Sequence, residues 1–264
     1  AQLLKLWEGL GYYNRARKAQ ACAQEIAARG GVWPDTVEGL LALPGIGPYT
    51  SGALLSFAFN KAAPIVDANV ARVLARIDNY SVPVDSTEGL KYLWTRAENL
   101  VDPEHAREFN SAIMELGQTY CRISAPDCLL CPVRSFCSAE QPETLPVKNP
   151  KPEITRVEHH DILYLRGKSI LLARCPEGKR HAGMYRFPQR EDDHTLSLPH
   201  VLKQTYSVTR YKVTRYIHHV TESPAFLEGE ELVPLDKVHE LPMASPDRKA
   251  LNSPILGKLL DQIR

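Results

Sequence analysis

No apolar run in this chain approaches the roughly 20 residues that crossing a bilayer requires. No segment has the profile of an export signal either, so a reducing cytosol is the expected compartment and disulfides are disfavoured. Charge of one sign is also scarce, with 32 Lys+Arg against 31 Asp+Glu for a net of +1. Residues 1–137 hold 13 basic and 14 acidic side chains and the remainder 19 and 17, so neither part has the bulk footprint of a polyanion binder. An initiator Met is missing: "AQLLKLWEGLGYYNRARKAQ" opens on Ala1 already in a helical pattern, which reads as a fragment or processed chain whose first helices are absent. What is present is ordinary globular material, 264 residues with 44% apolar and 24% charged, enough for one large domain or two smaller ones without covalent staples.

Residues 1–120 read as helices joined by short turns. Leu3, Leu4, Leu6 and Trp7 begin one that "GLGYY" breaks, and a second covers 15–28 and stops at Gly30–Gly31. "DTVEGLLAL" opens a third with Asp35 or Thr36 as N-cap. "PYTSGALLSFAF", "ANVARVLARI", "GLKYLWTRAENLV" and "REFNSAIMELGQTY" supply four more, each with apolar residues three or four apart. The Pro-rich "SAEQPETLPVKNPKPEI" then reads as an interdomain linker. Beyond it the period shortens: "HDILYLR", "SILLAR", "MYRFPQ", "YSVTRYKVTRYIHHV" and "ELVPL" read as strands, and "SPILGKLLDQIR" as a closing helix. The expectation is a multidomain chain: an all-α domain over 1–137, a linker over 138–154, and an α+β domain over 155–264.

Three motifs carry chemistry. In "LPGIGPYTSGALL", Gly45 and Gly47 lie between a capped helix and a second helix, where backbone N–H groups can grip a phosphate without a cationic side chain. A bare G-x-G favours an ordinary turn, but Pro44, Pro48 and the two flanking helices make this a helix-hairpin-helix DNA-binding motif. In "PIVDANVARVLAR", Asp67 precedes a helix and by itself reads as an N-cap. Placed just after the hairpin, it could also stabilise a cationic sugar or position a water, as glycoside chemistry requires. The third is C-x6-C-x2-C-x5-C, formed by Cys121, Cys128, Cys131 and Cys137. Zinc modules usually present two close pairs and this has one, while four thiolates in one loop can hold a 4Fe–4S cluster; spacing leaves both metals open. Cys22 and Cys175 are isolated and read as structural or incidental.

Together with "WEGLGYYNRARK", these motifs in this order resemble the iron–sulfur branch of the helix-hairpin-helix DNA glycosylases over nearly all of residues 1–137. Two families compete within that branch. Endonuclease III carries a Schiff-base lysine two residues after the second hairpin glycine; here that residue is Tyr49, and a phenol forms no imine. The adenine DNA glycosylases of the MutY type carry tyrosine or serine there and append a second domain. "LLARCPEGKRHAGMYRFPQ" resembles their MutT/Nudix-like 8-oxoguanine-recognition domain, and it holds no Nudix box.

The resemblance implies excision of adenine from duplex DNA containing A:8-oxoguanine or A:G mispairs, by a monomer in a bacterial cytoplasm, associated with the nucleoid through DNA. It implies that the adenine is flipped out of the helix, that Asp67 stabilises an oxocarbenium sugar, and that Tyr49 and Asn69 support the site. It implies DNA contacts from Gly45, Ile46 and Gly47, and an intercalating wedge at Tyr12, for which a packed aromatic is an equally good reading. Tyr206 and Ser207 match the phenylalanine and serine of an 8-oxoguanine-reading loop, while Gln204 and Val208 replace its histidines. The four cysteines would ligate a 4Fe–4S cluster. The family's catalytic glutamate lies before "WEGLGYY", and Glu8, Glu25 and Glu38 are in the wrong context to replace it; little activity is therefore expected of these 264 residues. The alternatives are an endonuclease III-like glycosylase/lyase and a non-catalytic damage-binding module.

Overall fold

The structure, a computed structural model, describes residues 2–179 and 181–261. It divides into two compact units: residues 21–151, and the residues up to Gln20 together with those from Pro152 on.

The first of these is helical. The end of α2 (Asn14–Ala28), then α3 (Val37–Leu41), α4 (Pro48–Ala53), α5 (Ala68–Ile77), α6 (Thr87–Leu100) and α7 (Ala106–Thr119) follow the apolar periodicity read from the sequence. Thr36 and Ser86 cap α3 and α6 by accepting from the amides of Gly39 and Gly89. Two small cores hold the unit. Cys22, Ile26, Leu40, Leu43, Leu55 and Ala63 pack around the hairpin. Ile65, Val70, Leu74, Val84, Leu93 and Ala97 pack around α5, which is the central helix. The Pro-rich stretch expected as linker is anchored along its first half: Leu145 is buried and Val84 donates its amide to the Val147 carbonyl at 2.9 Å.

The second unit is built on a mixed six-stranded sheet: β1 (Thr155–Arg166), β2 (Ser169–Arg174), β3 (Tyr185–Arg186), β4 (His200–Val208), β5 (Tyr211–Val220) and β6 (Glu230–Pro234). The order is β3-β2-β1-β5-β4, with β6 also on β2. β1 and β5 run parallel over ten residues, and β4 and β5 form an antiparallel hairpin. The sequence reading took 206–220 as one strand; the chain reverses at Thr209 (φ 53°) and Arg210, so that segment is two strands. One face packs Leu163, Ile217, Leu251, Leu256 and Leu260 into a core beneath α9 (Ser245–Leu251) and α10 (Pro254–Asp261). A short α8 (Asp193–Ser197) precedes β4.

The first twenty residues, read with the helical domain, pack in this second unit. Leu4, Tyr13 and Ala16 are buried with Met184 and Ala244, Glu8 pairs with Arg248 at 2.6 Å, and Arg17 donates to the Ala182 carbonyl. Leu4 lies on α1 (Gln2–Leu6). Among the described residues, no helix is long and apolar enough to cross a membrane.

Candidate active site and cysteine loop

The hairpin turn joins α3 to α4. Gly45 has φ +82°, a left-handed conformation that a side chain strains. Gly47 differs: its backbone is extended (φ −105°, ψ 179°), and a Cβ built on it would meet nothing within 4 Å. Nothing in the protein's own fold requires glycine there. Ile46 packs on the hairpin core, and Tyr49, in the first turn of α4, is 37% exposed. α4 runs into a π-helical turn (Leu54–Ala58), a feature frequent at functional sites. A Cβ on Gly52 would lie 2.0 Å from the Pro64 carbonyl oxygen. Glycine therefore lets α4 press against the segment that delivers Asp67.

Asp67 is the N-cap of α5, and both its readings have a physical basis. Its Oδ1 accepts from the Val70 amide at 2.7 Å, and its Oδ2 meets only the Asn69 side-chain amide, at 3.4 Å. One oxygen is committed to the helix and the other is held by a neighbour that donates weakly. Asn69 accepts in turn from the Arg72 guanidinium at 3.0 Å. Arg72 is buried and also donates to the carbonyls of Gly117 (2.6 Å) and Cys121 (2.7 Å). A hydrogen-bonded chain thus runs from Asp67 through Asn69 and Arg72 to the backbone of the first loop cysteine.

One turn later on the same helix, Arg76 is 2% exposed. It donates to the Cys121 thiol at 3.3 Å and to the carbonyls of Arg122 (2.7 Å), Ile123 (3.2 Å) and Leu145 (3.1 Å). The Cys137 thiol donates to the Arg76 carbonyl at 3.4 Å. Arg72 and Arg76 were not among the sequence-derived site residues. Their signal was legible in "NVARVLAR", where two cations four apart sit on an otherwise apolar helix face.

All four loop cysteines are free thiols, with Cys121, Cys128 and Cys131 half-buried and Cys137 exposed. Burial pushes the Cys128 thiol up, and the neighbouring Cys121, Cys137 and Cys131 push it further, so the four lie within electrostatic reach of one another. Among the described residues no three Cys, His, Asp or Glu side chains converge on a point that a single ion could occupy. Single-ion sites need thiolates about 2.3 Å from one centre. Four thiols within one loop are a donor set that could hold zinc or an iron–sulfur cluster. Leu129 and Leu130, between the paired cysteines, are largely exposed.

In the other unit, Tyr12 is 74% exposed at φ +46°, with the Arg15 guanidinium 4.9 Å above its ring. The packed aromatic is Tyr13, which is buried and donates its hydroxyl to the Met243 carbonyl at 3.4 Å. Tyr206 and Ser207 lie on β4 and not in a loop. Successive strand residues point to opposite faces, so Tyr206 faces the core beside Val213, where burial raises its phenol, and exposed Ser207 faces outward beside Lys212. Gln204 also turns inward, and its Oε1 is buried without a partner. Burial raises the Glu8 carboxyl, but hydrogen bonds from Arg248 and Lys5 outweigh this and hold it below its ordinary range.

Residues 1–96 match the HhH-GPD superfamily of base excision DNA repair proteins. The chain is 37% identical over 201 residues to an adenine DNA glycosylase of Arabidopsis thaliana, covering 70% of this chain and 32% of that protein. It is 47% identical over 139 residues to the Homo sapiens adenine DNA glycosylase, covering 52% and 26%. A Buchnera aphidicola adenine DNA glycosylase is 32% identical over 191 residues, covering 71% and 55%. The chain therefore spans about a third or less of the length of the first two of these relatives.

Proposed function

We propose that the chain is an adenine DNA glycosylase of the MutY type, in keeping with its similarity to the HhH-GPD superfamily and to adenine DNA glycosylases, and that its chemistry is hydrolysis of the N-glycosidic bond of adenine mispaired with 8-oxoguanine or guanine in duplex DNA. The observation that carries this reading is the placement of Asp67, half-buried at the start of α5, with one carboxylate oxygen committed to the helix cap and the other held by Asn69.

Each residue then has a definable part. The Gly45–Gly47 turn offers backbone N–H donors to a phosphate, and the open space over Gly47 admits a close backbone approach. With the adenine flipped out, the glycosidic bond breaks with its electron pair going to the adenine, which takes up a proton, while water adds to the sugar carbon and gives one up; the Asp67 carboxylate offsets the positive charge on the sugar where it develops. The Asn69–Arg72 chain keeps that carboxylate oriented. Tyr49 stands where a lyase would need an amine, so the reaction stops at hydrolysis. Cys121, Cys128, Cys131 and Cys137 would hold a 4Fe–4S cluster, which supplies a cross-link that shapes the loop and takes no part in bond cleavage. Exposed Tyr12 serves as the wedge beside the mispair and Ser207 contacts 8-oxoguanine. Tyr206, facing the core, supports the strand. The protein acts as a monomer on duplex DNA.

The test is adenine release from an A:8-oxoguanine duplex by the full reading frame, with borohydride trapping in parallel. Release without a trapped covalent adduct is expected; a strong adduct, or excision of other bases with adenine untouched, refutes the assignment. Iron and sulfide analysis of the purified protein tests the cluster, and bound zinc without iron refutes it.

A further inference from the structure

We propose that the outer face of β1, β5 and β4 docks the sugar–phosphate backbone of duplex DNA through Arg156, Lys203 and Lys212. The proposal deepens the DNA-repair reading above and rests on it.

Strand register places ten side chains on this face in ordered rows. Ser207 pairs with Lys212, which pairs with Arg156; Thr205 with Thr214 and Glu158; Lys203 with Tyr216 and His160. Side chains on directly paired residues share a face, so these nine form a three-by-three polar patch, and His218 begins the next row. The opposite face is the core beneath α9 and α10. On the outer face, cover starts only farther along, where Leu198 closes over Ile162 and Tyr164 and its carbonyl meets the His218 ring at 2.8 Å.

The patch concentrates positive charge in a chain whose net charge is only +1. Arg156, Lys203 and Lys212 are exposed, Glu158 is the single carboxylate among them, and Arg210 stands at the adjoining hairpin tip. Among the described residues none of the three cations is engaged in an ion pair; Lys203 lies 5.2 Å over the Tyr216 ring, which His160 stacks at 5.1 Å. Those contacts hold the ammonium over the sheet without neutralising it. Lys203 and Lys212 are separated by four residues along the β4–β5 ladder, roughly 14 Å at strand rise, which spans about four base-pair steps. β4 is the edge strand of this sheet. The row Arg156–Lys212–Ser207 sets the serine proposed to read 8-oxoguanine beside two cations that would fix its register on the backbone. Phosphate contacts position and base contacts specify, and this face carries both kinds in one row.

The experiment compares the full chain with an Arg156→Gln/Lys203→Gln/Lys212→Gln variant and with a control, Lys168→Gln/Lys237→Gln/Lys249→Gln, whose exposed lysines lie outside the patch. Binding to an A:8-oxoguanine duplex and to its undamaged counterpart is followed by fluorescence anisotropy across a series of NaCl concentrations. The patch variant is expected to lower the slope of log K against log salt by about 3, near one unit per lost phosphate contact. It weakens both duplexes by the same factor, while the control leaves slope and affinity unchanged. An unchanged slope overturns the proposal, as does weakening confined to the damaged duplex, which would mark base reading and not backbone docking. Absence of DNA binding by the unsubstituted chain overturns the DNA reading itself, which separates the two failures.

Discussion

Replacing Arg215 with Met should destabilise the sheet unit by about 3–5 kcal/mol near neutral pH, the range for removing one partner from a buried ionic group. Arg215 is 3% exposed and bridges three elements: its Nε donates to Asp161 of β1 at 2.5 Å and its Nη2 to Asp247 of α9. Both carboxylates are buried, at 4% and 6% exposure. Met keeps most of the volume and the packing on Phe187, so the loss is electrostatic and not a cavity effect. Two features set the magnitude within the range. Asp247 keeps one hydrogen bond, from the Phe187 amide at 3.2 Å, and the Nη1 of Arg215 is already buried without a partner; both argue for the lower end, about 3 kcal/mol.

The loss should also depend on pH with a defined sign. Burial pushes the Asp161 carboxyl up to about 6 even with Arg215 beside it, and removing the guanidinium raises it further. A carboxyl whose folded value lies above its unfolded value near 3.9 favours the folded state fully below that lower value. The advantage disappears as pH rises through the folded value. The Arg215→Met deficit should therefore be largest above pH 7 and shrink as pH falls toward 4.5. Native-state hydrogen exchange of the β1 and β5 amides reads this unit alone. A deficit under 1 kcal/mol at pH 7.5, or one that grows on acidification, would refute the reasoning. Replacing Arg215, Asp161 and Asp247 together with apolar residues should recover most of the stability, since no uncompensated charge then remains.

Asp67→Asn separates the two roles of that residue. Asparagine caps helices as well as aspartate does, so stability should move by less than about 0.5 kcal/mol, while adenine release by the full reading frame falls by roughly 10²–10³; unchanged release would remove Asp67 from the chemistry. Gly52→Ala forces a Cβ to within 2.0 Å of the Pro64 carbonyl and should cost more than about 2 kcal/mol in urea unfolding. Gly47→Ala should leave stability unchanged and weaken DNA binding at least about tenfold, and equal effects from the two would contradict the geometry. His218 is pushed below its ordinary value by burial and by His160 and His200, against an opposing pull from the Leu198 and Pro199 carbonyls. The unfolded chain therefore takes up its proton first, so the stability due to His218 is present above about pH 6.5 and lost as pH falls through that range. His218→Asn, whose amide can donate where Nδ1 does, should flatten the decline in β5 amide protection between pH 7 and 5.5 that the unsubstituted chain shows.

Features written in local pattern were legible before any coordinates. Helices α2, α5, α6 and α7 follow apolar spacing and α3 its capping residue, β2 coincides with "SILLAR", and the hairpin turn is marked by its glycines and prolines. These depend on neighbours three or four residues apart, which a sequence displays directly. The β4–β5 turn was missed because Thr209 and Arg210 carry no Asn-Gly or Gly signal. The ten-residue parallel pairing of β1 with β5 joins segments some 55 residues apart, and nothing local encodes it.

Site residues divide along the same line. Residue type and spacing marked Asp67 and the four cysteines as candidates, and the family resemblance added Tyr49. That Asp67 gives one oxygen to the helix cap and the other to Asn69, that Arg72 and Arg76 tie its helix to the cysteine loop, and that Tyr206 and Ser207 face opposite sides of a sheet are visible only in the folded chain. The packing of the first twenty residues is of this kind too, because Leu4, Tyr13 and Ala16 find their partners only at Met184 and Ala244. Chemistry-bearing residues announce themselves by kind, whereas orientation, desolvation and partnership arise when remote segments meet.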